Sequence, residues 1–391
     1  MSKRSHKPGR HFLQIPGPTN VPDTVLRAMA QPVIDHRGPD FPALTYSVLE
    51  QIKPVFNTES AVFIYPASGT GGWESALLNT LSPGDKVLAF ETGHFATLWK
   101  EVANKLGIEV QWVEGDWRHG VDPEKTEQVL KGDSEHKIKA VLAVHTETST
   151  GVTSRIDKIR QAIDAAGHPA LFFVDAVSSL ACTEYLHDEW KVDVTVSGSQ
   201  KGLMLPPGLS FNAVSEKALA ASKQSNSHHS YWCWDAMLSF NAKGYYPYTP
   251  NTNLMYGLEE ALFLLHEEGL ANVFSRHHRF AEATRCAVSA WGLENVCLNP
   301  DEFCNSTTAV LVPEGSNADA LRTLILDRFD MSLGTGLGKL KGKIFRIGHI
   351  GDFNELMLAG TLGGVEMGLS LSDIPYKKGG VNAGLNYLAK S

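Results

Sequence analysis

The chain predicts an α/β fold: a large domain built on a mostly parallel sheet, followed by a smaller C-terminal α+β domain. Three observations lead there. Short apolar runs rich in β-branched residues recur at 61–65, 86–90, 108–113, 140–144, 170–174 and 192–196. Runs that are apolar at nearly every position are strands buried on both faces, which is the pattern of a parallel sheet. Most of the stretches between them are long enough for crossover helices. From about residue 269 the pattern changes to a long helix (271–291), a strand (307–312), a helix (318–329), a glycine-rich turn (334–338), a strand (343–348) and a closing helix (353–369). The expected division is an N-terminal arm (1–14), a large domain (15–268) and a small domain (269–391). A chain of 391 residues can bury two cores of that kind.

Composition narrows the partners. Hydrophobic content of 43% and charged content of 20% are those of a soluble globular protein, and a formal net charge of −8 argues against nucleic acid. The basic start, Ser2 to His11, lacks a following apolar stretch, so it does not read as a secretory signal. No apolar stretch reaches the roughly 18 residues of a membrane span. The five cysteines are odd in number and show no CxxC pair. They read as reduced thiols of a cytoplasmic protein, not as a disulfide frame or a zinc site. His277-His278 reads as a solvated helix face, and no metal is expected.

Taken in order, the elements place chemistry at strand ends, where parallel sheets bind ligands. After the strand 61–65 comes Ser68-Gly69-Thr70-Gly71-Gly72, which opens a helix expected at 73–81. Glycines and free helix-start amides can cradle a phosphate, although the same residues also suit a tight strand-to-helix turn. The spacing is neither a Walker loop nor the usual dinucleotide fingerprint. Phe95 follows the strand 86–90 and is either a core aromatic or one face of a ring sandwich, with Val177 available on the other side. His145 and Thr148 follow the strand 140–144 and could meet ring substituents. Asp175 ends the apolar strand 170–174. Lys201 follows the strand 192–196 within Ser197-Gly198-Ser199-Gln200-Lys201-Gly202.

That lysine and that aspartate form the most informative pair in the chain. An aldehyde cofactor such as pyridoxal 5′-phosphate needs an amine for a Schiff base and a buried carboxylate to keep its ring nitrogen protonated. Lys201 and Asp175 fit these two roles, with Ser199 and Gln200 near the same anion as the glycine loop. Arg346 lies in the middle of an apolar strand. Unpaired burial there is expensive, so it meets either an acidic side chain or a ligand carboxylate, which suits its two-pronged donor. Tyr245-Tyr246-Pro247-Tyr248-Thr249-Pro250, read locally, is only a rigid turn.

The chain resembles the class V, fold-type I enzymes that use pyridoxal phosphate, in particular the serine/alanine/aspartate:glyoxylate aminotransferase group. The resemblance covers nearly the whole length. It rests on Ile15-Pro16-Gly17-Pro18-Thr19-Asn20, the stretch from Ser68 to Glu74, Asn79 to Asp85, His145 to Gly151, Val174 to Ser179, Ser197 to Gly202, Pro206-Pro207-Gly208 and Phe345 to Gly351. It implies Lys201 as Schiff-base lysine and proton shuttle, Asp175 as partner of the ring nitrogen and Phe95 as the stacking aromatic. It further implies Ser68, Gly69, Thr70 and Gln200 on the phosphate, Thr148 near the ring hydroxyl and Arg346 on the substrate carboxylate. Gly17 and Pro18, in the turn 16–19, would line the substrate pocket. A homodimer is also implied, in which Tyr246 and Thr249 reach the phosphate in the neighbouring subunit. The activity expected is transfer of an amino group from a small L-amino acid, serine first and then alanine or aspartate, to glyoxylate or a similar 2-oxo acid. One segment departs from the group, Asn226-Ser227-His228-His229-Ser230-Tyr231-Trp232-Cys233-Trp234-Asp235, and it leaves a different amino donor open. The other readings are a lyase or desulfurase of the same class, for which Cys233 is the candidate thiol by position, and a non-catalytic binding module.

Overall fold

The computed structural model describes residues 8–391, so the arm expected at 1–14 is described only from Pro8 onward. Seven strands form the larger sheet, in the order Ala61–Tyr65, Ser210–Val214, Val194–Gly198, Leu171–Asp175, Ile138–Val144, Lys86–Phe90, Glu109–Val113. All run parallel except Ser210–Val214, which is antiparallel to both neighbours. The six expected strands are all present, with ends within two residues of their expected positions.

Ser210–Val214 is the strand that apolar runs did not reveal, because two of its five positions are polar and still fully buried. Their polarity is satisfied locally. The Asn212 amide donates to the Gly72 carbonyl at 3.2 Å, and the Ser210 hydroxyl to that of Ser197 at 3.3 Å. A second difference sits next to the site. The helix after Tyr65 runs Gly69–Thr80 and so begins four residues earlier than expected, on its glycines. Its free amides therefore lie at the glycine loop itself.

The C-terminal part builds a second sheet of five strands, ordered Phe12–Gln14, Met331–Thr335, Ile344–Gly348, Thr307–Leu311, Glu294–Asn295. Phe12–Gln14 pairs in parallel with Met331–Thr335, so residues from the expected arm join the far end of the chain. The glycine-rich stretch expected as a turn begins as strand, with Gly334 paired opposite Arg346. A final helix, Gly380–Leu388, was not anticipated. Two main hydrophobic clusters follow the two sheets, one from Val25 to Val273 and one from Phe280 to Leu388.

Candidate active site

The larger sheet brings the aspartate and the lysine together by register. Leu171–Asp175 and Val194–Gly198 are adjacent and parallel, with Asp175 opposite Val196, so Lys201 begins its turn just beyond the same sheet edge. Above that edge lies a cavity of about 240 Å³ lined by Gly17, Pro18, Ser68, Gly69, Thr70, Trp73, Phe95, Thr146, Thr148, Asp175, Val177, Gln200, Lys201 and Pro207. Phe95 and Val177 both face it, as the sandwich reading requires. Sequence reasoning missed Trp73, Thr146 and Pro207. The indole of Trp73 was the traceable one, one turn into the helix that opens on the glycines.

Asp175 is 3% exposed. Its carboxylate accepts from the Trp73 indole at 3.0 Å and from the Val177 amide at 2.7 Å. Burial pushes its pKa up to about 7, with the charge of Glu147 adding to the rise, while those two donors and Lys201 pull it back. A cationic partner on its open side would relieve that cost. Lys201 is 8% exposed, and burial together with the Arg346 charge brings its pKa down to about 8. An amine held there spends part of its time neutral near pH 7, the state that attacks an aldehyde. Its Nζ donates to the Pro16 carbonyl. The turn carrying that carbonyl lies so close that a Cβ on Gly17 would fall 2.6 Å from Lys201 Nζ, and Gly17 also has φ +123°. Glycine is required there on both counts.

The glycine loop fits an anion. The helix Gly69–Thr80 starts at Ser68, whose side chain makes no capping bond to the helix, so that hydroxyl and the first amides stay free. Gln200 lines the same cavity, and its side-chain NH2 group is a donor of the kind a phosphate takes, while its Oε1 is buried with no hydrogen-bond partner. Thr148 shares a short hydroxyl–hydroxyl bond with Ser178. His145 does not reach the cavity. It is buried against Tyr185 and Trp190 with ring centroids 5.5 and 5.8 Å away, and burial drives its pKa down to about 3, so it is a neutral core residue.

Arg346 comes from the second sheet. It is 6% exposed, and its Nε and Nη1 donate to the carbonyls of Thr335 and Thr148, each at 2.8 Å. Among the described residues no carboxylate pairs with it in an ion pair, and burial brings its pKa down to about 10. The acidic-partner alternative is therefore not realised. Two carbonyls orient the guanidinium while its charge remains available to a ligand. Tyr246 and Thr249 do not line this cavity. Tyr246 packs edge-on against Phe41, with its hydroxyl buried and unpartnered, and Thr249 is exposed. The divergent segment 226–235 is tied to the outer side of the glycine helix. Trp232 donates to Glu74 at 3.2 Å, and its carbonyl accepts from Tyr65 and Asn79 at 3.0 and 2.7 Å. Cys233 precedes the helix Trp234–Asn241 and does not line the cavity.

The aminotransferase class V family matches residues 11–337. The chain belongs to that family. It is 49% identical to a serine–glyoxylate aminotransferase of Methylorubrum extorquens, over 99% of this chain and 98% of the relative. It is 44% identical to an L-aspartate–glyoxylate aminotransferase of Paracoccus denitrificans, over 93% and 92%. Among solved structures it superposes on ureidoglycine–glyoxylate aminotransferase from Bacillus subtilis with a TM-score of 0.90 at 27% identity, covering 99% of this chain and all of that one. The fold is thus that of the fold-type I aminotransferases, and the cofactor is pyridoxal phosphate. The cavity fits that group on its own chemistry: a buried amine, a buried carboxylate short of a cation, and a helix start whose first amides are free to donate to an anion.

Proposed function

We propose that this aminotransferase moves the amino group of a small L-amino acid to glyoxylate, with serine as the first donor and alanine or aspartate after it. The observation that carries the reading is the buried guanidinium of Arg346, which has no acidic partner among the described residues, acts on Lys201 through its charge and is held by the carbonyl of Thr148, a residue that lines the cavity of about 240 Å³. That space is small beside the roughly 300–1,000 Å³ of pockets for drug-sized ligands. The relatives named for serine and for aspartate with glyoxylate support the same pair of substrates.

Pyridoxal phosphate, when bound, supplies an aldehyde for the amino group and a ring that accepts electrons. The chain's residues do the rest. Ser68, the amides of Gly69 and Thr70, and Gln200 hold the phosphate. Phe95 and Val177 would hold the ring between them, and Thr148 would lie within its reach. Asp175, fixed by Trp73 and the Val177 amide, keeps a proton on the ring nitrogen. Arg346 binds the substrate carboxylate, with Gly17 and Pro18 closing the pocket. Lys201, the amine that would hold the aldehyde, would also serve as the base that takes the α-proton of the amino acid and carries it for return.

A homodimer with shared sites would give Tyr246 and Thr249 a role that nothing within one chain gives them. The five cysteines, three buried and two half-buried, are all free thiols, which supports a cytoplasmic setting. No helix among the described residues is long and apolar enough to cross a membrane. No cysteine lines the cavity, which leaves the desulfurase reading without a nucleophile.

Absorbance tests the function directly. L-Serine should discharge the visible band of the bound cofactor and glyoxylate should restore it, with glycine as product. A protein that cycles only with other donor–acceptor pairs would overturn the substrate assignment. For the dimer, mixing Lys201→Ala subunits with subunits altered at both Tyr246 and Thr249 should recover activity. A fully active monomer in sedimentation would contradict it.

A further inference from the structure

Glu147 has no part in the chemistry just described, yet it is fully buried and makes no ion pair with any described lysine, arginine or histidine. Such a carboxylate is tolerated only when its lone pairs are filled. Here they are. It accepts from the amides of Phe95 (3.1 Å), Ala96 (3.0 Å) and Ser149 (3.1 Å) and from the Ser149 hydroxyl (2.6 Å). Phe95 and Ala96 belong to the first turn of the helix His94–Lys105, where free amides and the helix dipole favour a negative charge. The fit is close. A Cβ on Gly93 would lie 2.4 Å from Glu147 Cγ and 2.6 Å from the Ser149 hydroxyl, so only glycine admits the carboxylate.

The other side of the same segment faces the cavity. Thr146 and Thr148 both line it, and the Thr148 carbonyl accepts from Arg346. Glu147 between them turns away, toward the helix bearing Phe95, whose first amides donate to its carboxylate. One side chain thus joins two walls: the aromatic that faces the ring and the carbonyl that orients the guanidinium.

We propose that Glu147 is a positioning residue, which fixes the Phe95 ring against the cofactor and sets the height of the Thr148–Arg346 wall relative to it. The proposal rests on the cavity being the cofactor site. The influence of its charge on both Asp175 and Arg346 agrees with that central place.

Glu147→Gln keeps the shape but places an amide donor among amide donors. Its test reads the bound cofactor rather than turnover alone: dissociation constant for pyridoxal phosphate, and visible circular dichroism, which reports how the ring is held. Glu147→Gln should weaken cofactor binding about tenfold, the scale of one lost charge-assisted hydrogen bond, and reduce the dichroic band per bound cofactor. It should also raise KM for glyoxylate more than it lowers kcat. Phe95→Leu should weaken binding similarly, and Glu147→Gln added to Phe95→Leu should cost less than a further twofold, because the two act through one contact. Wild-type affinity and dichroism in Glu147→Gln, whatever its melting temperature, would overturn the proposal, as would full additivity with Phe95→Leu. Should Glu147→Gln not fold, Ser149→Ala removes one donor and leaves the charge; it must move both readouts the same way by a smaller amount, and unchanged readouts would overturn the idea. If the wild-type protein itself bound no pyridoxal phosphate, the cofactor assignment would fail instead.

Discussion

The two ends of the candidate site are built in opposite ways. At one end, Asp175 ends one strand and Lys201 lies three residues beyond its parallel neighbour, so their spacing follows largely from register within one sheet. At the other, Arg346 arrives from a different sheet, with Gly334 opposite it and the Thr148 carbonyl beneath it. The lysine–aspartate end is a property of a local supersecondary unit. The arginine end exists only after the C-terminal sheet has docked.

That contrast can be broken most severely at Lys201. Lys201→Ala removes both the covalent anchor and the proton carrier, so the turnover number should fall by on the order of 10⁴ or more. The visible lysine-linked absorption should vanish, with the fold unchanged by far-ultraviolet circular dichroism. Turnover at the wild-type rate would refute the assignment.

Asp175→Asn comes next. It keeps the shape and the contacts to Trp73 and Val177 but removes the charge, and should cost on the order of 10²–10³ in rate, with a smaller loss of cofactor affinity. The same variant sharpens a pH effect. The folded-state pKa of Asp175 is raised from 3.8 to about 7, so its favourable contribution is complete below pH 4 and is lost as pH rises toward 7. Cofactor-free wild-type protein should therefore lose melting temperature across that window more steeply than Asp175→Asn. Identical slopes would mean the carboxyl is already ionised throughout.

Arg346→Lys probes the other end. The charge stays but the fork is lost, so amino acid and oxo acid should both bind about tenfold more weakly, while the cofactor spectrum stays as it was. Donor preference should survive. If donor preference changed while glyoxylate kinetics did not, the arginine would be reading a distal group and the division between the two ends would be drawn in the wrong place. The smallest effect is expected from Trp73→Phe, which removes one hydrogen bond to Asp175 but keeps the stack on Trp99, whose ring centroid lies 5.7 Å away. The loss should be a few-fold in rate, on the scale of about 1 kcal/mol, and should not appear when Asp175 is already Asn.

Strand-end chemistry was the most legible part of the chain. Eleven predicted residues, Gly17, Pro18, Ser68, Gly69, Thr70, Phe95, Thr148, Asp175, Val177, Gln200 and Lys201, line one cavity. What the reading of the chain missed follows a pattern. Ser210–Val214 was overlooked because its polar residues are paired to carbonyls elsewhere in the chain, and Glu147 because the donors that tie it to Phe95 and Ala96 lie about 50 residues away on a helix. His145 was placed near the ring because it ends a strand, and the packing of Tyr185 and Trp190 takes it into the core.

The sequence by itself determined the layered architecture, the order of its strands along the chain and the identity of the lysine–aspartate pair. Those depend on hydrophobic periodicity and on residues fixed a few positions beyond a strand, both local properties of the chain. Only the tertiary structure decided that Arg346 has no acidic partner, that residues 12–14 close the C-terminal sheet, and that a buried glutamate holds the aromatic wall. Each of these depends on which groups remain unsatisfied once distant segments have packed, and no local spacing encodes that remainder.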